Sequence, residues 1–287
     1  MLTFALAVLL AQAPDYSKVE VKAQKVAGNV YVITGAGGNI GASIGDDGVA
    51  LVDDQFAPLV PKLKAALAQL SKAPVRFVIN THWHGDHVGG NAQLAETAAI
   101  LAHINVHKRM ESGGKSPMGE IPPSPRAALP VVTFEQGISL WWNGEEIRAL
   151  HPGIGHTDGD TVLWFTKSNV VHMGDDYFVG MYPFIDLDSG GSVVKLIESL
   201  DVVLGWIPAG AKVIPGHGQV TGVPELRAYR AMLDGVVGAV RKGLAAGKTV
   251  EQMQKEKVLA QWDATLGGGF IKPDMMISIV AQDLARR

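Results

Sequence analysis

The chain has 287 residues, 47% of them hydrophobic and 18% charged, with a formal net charge of −3 and no cysteine. Such a chain is globular, long enough for one large domain or two ordinary ones, with a substantial core and, from its 34 glycines, many tight turns. No block of lysine or arginine supplies a nucleic-acid footprint, and the lack of thiols excludes disulfides, thiolate nucleophiles and cysteine-held metals, so a transition metal would need nitrogen and oxygen ligands.

Residues 2–11 are an apolar run too short to span a bilayer comfortably. Ala11, Gln12 and Ala13 follow as a small-x-small cleavage pattern, then Pro14, which predicts a secretory signal peptide over residues 1–13 and a periplasmic or secreted mature chain. No Lys or Arg precedes that run, and no other run approaches the length of a membrane span. Strands are predicted at 29–34, 40–44 and 49–52, separated by GAGGN and GDDG. Residues 58–71 have helical spacing, with Leu59, Leu63, Ala66, Leu67 and Leu70 on one face and Pro61 in the first turn. A buried strand at 75–80 runs straight into THWHGDH, a short helix begins near Asn91, and another strand covers 98–102.

Residues 112–130, rich in Pro, Gly and Ser without an apolar period, read as a long surface connection. Strands resume at 131–134, 138–142, 146–150, 161–165 and 170–173, and helices follow at 192–204, 224–244 and 274–286. Strands then helices, twice over, predict an α/β fold of two similar halves packed sheet on sheet with helices outside.

THWHGDH holds three of the nine histidines in seven residues. His82 and His84 are two apart on an extended segment and point to one side, and Gly85 allows a turn that brings Asp86 and His87 back to the same region. His156 in GIGHTDGD, Asp175 in HMGDD and His217 in IPGHG share a setting, a strand end beside glycine, where the missing side chain lets backbone approach an ion. One tetrahedral zinc needs three or four donors. Seven donors suit two ions about 3.5–4 Å apart, a small-molecule catalytic site.

These motifs, in this order, resemble the metallo-β-lactamase superfamily, and the resemblance runs over essentially the whole chain after the leader. It implies a four-layer αββα sandwich, a single domain over residues 14–287, with metals at one edge between the sheets. It also implies that His82, His84 and His156 hold one Zn2+, that Asp86, His87 and His217 hold a second, and that Asp175 reaches one or both. Asp53 matches a position that supports the metal loop from behind, with Asp54 as its competitor; Asp176 competes likewise with Asp175. The implied chemistry is hydrolysis by a zinc-activated water, with Asp86 orienting it and relaying a proton.

The substrate is narrowed by departures. Several β-lactamases of the superfamily have cysteine where Asp175 stands and, three residues on, a substrate-gripping lysine where this chain has Phe178. An aspartate resembles the glyoxalase II and lactonase branches instead, yet basic residues for glutathione are missing around YFVGMYPF, residues 177–184. That apolar, aromatic segment favours a hydrophobic acyl or ring-bearing substrate, a lactone or ester with β-lactam left open, over a phosphodiester. The alternative is an iron-dependent oxidoreductase, persulfide dioxygenase-like, on the same fold, since histidine and carboxylate suit iron too.

Other residues have plainer readings. His103 and His107 read as solvated or capping, His151 and His172 as satisfied half-buried groups, and GAGGN as a hairpin turn that the resemblance makes a flap over substrate. At least one of Trp141 and Trp142 belongs to the core, because neighbours on a strand face opposite ways.

Overall fold

A computed structural model of the chain describes residues 15–116 and 119–286, without the side chain of Ser116. The leader expected at residues 1–13 lies outside the described residues. Strands β1 (Lys22–Ala27), β2 (Val30–Thr34), β3 (Ile40–Gly45) and β4 (Gly48–Val52) form an antiparallel meander, to which β5 (Val75–Ile79) and β6 (Ala99–His103) add in parallel. A parallel neighbour needs a crossover. Helix α1 (Val60–Ala68) supplies it between β4 and β5, burying Val60, Leu63 and Leu67 against the sheet. The short helices α2 (Gly85–Val88) and α3 (Asn91–Leu94) lie between β5 and β6.

After β6 come α4 (Ile104–Ser112) and a small hairpin of β7 (Gly114–Ser116) and β8 (Gly119–Ile121). Strand β9 (Val132–Phe134) then pairs parallel with β6 and completes a seven-stranded sheet. The second sheet has six strands: β10 (Gly137–Trp142), β11 (Glu145–Leu150), β12 (Val162–Phe165), β13 (Val170–His172), β14 (Lys212–Ile214) and β15 (Thr221–Gly222). Its β13–β14 pair is parallel, bridged by α5 (Val193–Trp206), and α6 (Val223–Ala245), α7 (Val250–Lys255), α8 (Ala260–Leu266) and α9 (Pro273–Ala285) follow.

Three apolar clusters define the layers. Val52, Ile79, Leu101 and Phe134 of the first sheet meet Ile147, Leu163, Phe165 and Ile214 of the second. On the outer faces, α1 and α3 cover the first sheet, while α5, α6 and α9 cover the second. This is the expected αββα arrangement. Strand β4, buried at all five positions, is apolar throughout because both its faces are covered.

Several local expectations are corrected. The connection over 112–130 contains the β7–β8 hairpin and a turn at Arg126–Ala128, with Ala128 buried beneath α3. The helix expected over 58–71 stops at Ala68, leaving Leu70 exposed. Strand β1 was not foreseen, since KAQKVA is mostly exposed and has no alternating apolar signal; pairing to β2 makes it a strand. Strand β14 has three residues and depends on β13 and β15. Helices α7 and α8 also went unpredicted. Among the described residues no helix is long and apolar enough to cross a membrane.

Candidate metal centre

Strand register carries the motifs to one edge. Val52 pairs with Ile79 and Ile79 with Leu101, so β4, β5 and β6 end near one level and Asp53 lies beside Thr81. In the second sheet His172 pairs with Ile214, so the segments bearing Asp175 and His217 leave adjacent strand ends together, and Gly216 N–H donates to Gly174 O at 2.7 Å. The β11–β12 connection delivers His156 to this edge. Thr161 N–H, donating to Thr81 O at 2.8 Å, ties the two sheets there.

The seven predicted side chains meet at this edge. Three groups could each hold a cation, with candidate ligand atoms within 4.8 Å of one another: His82, His84 and His156; His82, His87 and Asp175; and Asp86, His87 and His217. Asp175 joins the sets, its Oδ2 lying 3.9 Å from His82 Nε2, 3.7 Å from His156 Nε2 and 3.4 Å from His217 Nε2. Its Oδ1 is 3.1 Å from His87 Nε2. The rear of the cluster is buried, whereas the side chains of Asp86 and His217 are 25% and 24% exposed and mark the open side.

Four imidazoles are aimed from behind. Asp53 accepts from Thr81 N at 2.7 Å, Thr81 Oγ1 at 2.8 Å and His87 Nδ1 at 2.7 Å, which turns His87 Nε2 inward. Asp54 instead accepts from Gly90 N, which settles the competition between the two neighbours. His84 Nε2 pairs with Asp186 Oδ2 at 2.9 Å, leaving Nδ1 facing the cluster, 2.8 Å from His156 Nε2. His156 Nδ1 bonds to Phe184 O at 2.7 Å and His82 Nδ1 to Thr81 Oγ1 at 3.0 Å. A ring engaged at one nitrogen by a carboxylate or carbonyl is the usual arrangement of a metal-bound histidine. His217 is held differently, its ring stacked on Phe178 at 5.2 Å and 13°. Asp176 faces away from the cluster, accepting from His156 N at 3.2 Å.

Glycine is required at two close approaches. A Cβ on Gly38 would collide with the His87 ring, and one on Gly216 would collide with Asp175 Oδ1. Only the Gly38–Asn39 end of GAGGN is held against the cluster, residues 35–37 staying partly or fully exposed. Its backbone is pinned by Gly38 N to Asp86 O at 3.2 Å, Gln55 Nε2 to Gly38 O at 2.6 Å and Asn39 N to Gly216 O at 2.7 Å. That end of the loop is part of the floor. Asp53 and Gln55 adopt left-handed backbone, at φ 64° and 59°, a conformation that non-glycine residues take at some cost and that clusters at functional sites.

Burial pulls the His82 pKa well below its ordinary value and takes His156 down to about 4. Burial also opposes charge on His87 and His217, but Asp175 and Asp86 outweigh it, with Asp53 adding to the pull on His87; His87 rises well above its usual range and His217 to about 9. Asp175 is the reverse case, burial favouring the acid while His217, His87 and His82 hold it well below the carboxylate range. The fully buried His82 Nε2 has no hydrogen-bond partner, and His87 Nε2 and Asp175 Oδ1, 3.1 Å apart, face only each other without forming a hydrogen bond. Buried polar atoms are rarely left so, and a cation supplies what these three lack. The donor set, imidazole and carboxylate only, fits zinc and also iron.

Four supporting groups escaped sequence reasoning. Asp186 caps the turn Leu187–Ser189 and is held at about pKa 2; burial opposes this, and the bonds from His84 and Ser189 prevail. Thr81, inside the quoted motif, was the one with a visible signal. Asp160 and Asp176 form a buried carboxyl pair below His156, both pushed up by burial, Asp176 to about 7. The remaining histidines lie outside the cluster: His103 caps α4, His107 bonds Pro130 O, His151 bonds Asp160 O and His172 bonds Asn39 O. His172 is fully buried, not half-buried as expected. Trp142 packs edge-on to Phe77, while Trp141 is exposed.

Comparison with known proteins places these observations. The sequence is 30% identical over 163 residues to the 2,4-dinitroanisole O-demethylase subunit alpha of Nocardioides sp. (strain JS1661), covering 55% of this chain and 46% of that one. It is 31% identical over 132 residues to a hydroxyacylglutathione hydrolase of Synechococcus sp. (strain JA-3-3Ab), covering 46% of this chain and 44% of that one. The chain thus spans less than half the length of either relative. The crystal structure of DIM-1 metallo-beta-lactamase superposes with a TM-score of 0.63 at 19% identity, over 76% of this chain and 99% of that one, a likeness of fold. Residues 24–217, which carry all seven clustered side chains, match the family described as the metallo-beta-lactamase superfamily, and the chain belongs to that superfamily.

Proposed function

We propose that the protein is a dinuclear zinc hydrolase that cleaves a lactone or ester, with the β-lactam ring as the competing substrate. The observation that carries this reading is the convergence of five imidazoles and two carboxylates, with inward-facing buried atoms that no protein group satisfies. His82, His84 and His156 would hold one ion and Asp86, His87 and His217 the other, with Asp175 reaching one or both. Bound there, the ions would acidify a water and polarise the scissile carbonyl.

The chain's own groups do the remaining work. Asp53 and Asp186 hold His87 and His84 in the tautomers that point a lone pair inward. The buried rear keeps bulk water out, and substrate approaches past Asp86 and His217. Asp86, on the open side of the cluster, is positioned to take a proton from the attacking water and return it to the leaving oxygen.

Phe178, stacked on His217, and Phe184, 5.9 Å from the His84 ring, support an apolar acyl or ring-bearing substrate, as does the lack of a lysine at 178. The leader pattern supports export, and the shared cluster between the two sheets supports reading residues 14–287 as one domain. The test is metal analysis joined to a lactone, ester, thioester and β-lactam panel. Two zinc ions per chain, with turnover lost in chelator and restored by zinc, are expected. One iron per chain with persulfide consumption would replace this reading with the oxidoreductase one.

A further inference from the structure

Beside the candidate centre lies a turn that precedes the family match, which begins at residue 24. Residues 15–19 form a turn in which the Asp15 carboxylate accepts from Ser17 N and Ser17 Oγ, and Val19 N donates to Tyr16 O. Lys62, on α1, locks this turn in place. Its ammonium donates to Tyr16 O at 2.8 Å, Ser17 O at 2.7 Å and Val19 O at 2.7 Å, which uses all three of its N–H donors. An ammonium spent wholly on three carbonyls of one turn fixes that turn's position.

The lock places an aromatic ring. Tyr16 lies against Phe56, ring centroids 5.3 Å apart and tilted by 49°. Phe56 in turn lies near Asp86, since a Cβ on Gly37 would stand 3.1 Å from the Phe56 Cε2 and 2.9 Å from the Asp86 Cβ. Both rings are only partly buried, and Asp86 is on the open side of the cluster.

We propose that Tyr16 and Phe56 form an aromatic wall at the mouth of the metal centre, that this wall binds the ring or apolar acyl end of the substrate, and that Lys62 is its positioning residue. The proposal rests on the hydrolase reading for its substrate and adds a specificity determinant to it. A ring stacked on such a wall gains an amount that corresponds to roughly a three- to tenfold preference over an aliphatic analogue.

The test uses the full chain, zinc-loaded, with zinc content measured, in wild type, Tyr16→Ala, Tyr16→Phe, Lys62→Met and the exposed control Lys18→Met. Dihydrocoumarin and δ-valerolactone are compared by kcat/KM, and binding of 3-phenylpropionate is measured by calorimetry. The ratio of the two kcat/KM values should fall about three- to tenfold in Tyr16→Ala and Lys62→Met. Calorimetric affinity should fall alongside it, while Tyr16→Phe and Lys18→Met keep the wild-type ratio. An unchanged ratio and affinity in Tyr16→Ala overturn the wall, an unchanged ratio in Lys62→Met overturns the lock, and loss of zinc in either variant reassigns these residues to the centre. Should wild type hydrolyse neither lactone, the lactone reading fails, and calorimetry alone still decides whether the wall binds the ring.

Discussion

Asp53→Asn is a near-isosteric change that should cost the centre one ion. Asp53 Oδ1 accepts from Thr81 N–H, a group that can only donate, and Oδ2 accepts from Thr81 Oγ1 and His87 Nδ1. An asparagine must keep its oxygen toward Thr81 N, so its NH2 falls where Oδ2 stood. His87 then has to present a lone pair at Nδ1, and its proton moves to Nε2, the atom 3.1 Å from Asp175. A ring protonated on its inward nitrogen cannot coordinate. The left-handed backbone at Asp53 is tolerated by asparagine, so the effect is not one of strain. Losing a hydrogen bond to a charged acceptor costs roughly 1.5–3 kcal/mol in stability, and loss of such a support lowers metal affinity roughly 10–100-fold. The assay is zinc-to-protein ratio after equilibration in buffered zinc, alongside urea denaturation of the metal-free protein. At a free zinc level that would fill both proposed sites of the wild type, the variant should hold one ion. A folded variant that keeps both, with unchanged affinity, refutes the tautomer reasoning.

Asp186→Asn should weaken the other ion by a similar roughly 10–100-fold, because it releases His84 Nε2, with zinc titration as the measurement. Gly38→Ala puts a methyl group into the His87 ring, so the ring must move; a lower Tm and loss of one ion are expected, and an unchanged zinc ratio would contradict the close packing. His103 titrates away from the centre. Burial, then the His151 ring stacked on it at 4.2 Å, lower it to about 4, so the folded state holds it neutral while the unfolded chain is protonated first. Its stabilisation is whole above about pH 6.5. It is lost as pH falls through about 4, with a slope of at most about 1.4 kcal/mol per pH unit, reduced by screening at the ring edge. His103→Asn keeps a capping acceptor for α4 but removes the titration, so its stability should fall less steeply than wild type over that window. Parallel curves would exclude His103 as the source.

Elements with a one-dimensional signal could be found in the sequence. The apolar runs of β4 and β5 and the long amphipathic α6 carry their own periodicity, so their places were predicted to within a residue or two. Strands β1 and β14 carry none, because pairing to neighbours distant in sequence makes them strands. Proximity decided the supporting groups. Asp186 lies 102 residues from His84, in a turn that reads as an ordinary capped loop until the fold sets it on the imidazole.

By itself the sequence determined the ligand chemistry, since a chain without cysteine that clusters histidine and aspartate beside glycine can offer a cation only nitrogen and oxygen. It also determined that the motifs sit at strand ends, because the apolar runs stop just before them. Tertiary structure alone decided which nitrogen of each ring faces inward, which of two adjacent aspartates backs His87, and which end of GAGGN is pinned against the cluster. The reason is physical: a tautomer or a choice between neighbours is set by the group on the far side of the ring or carboxylate. Here that group comes from another strand, another sheet or a loop many residues away.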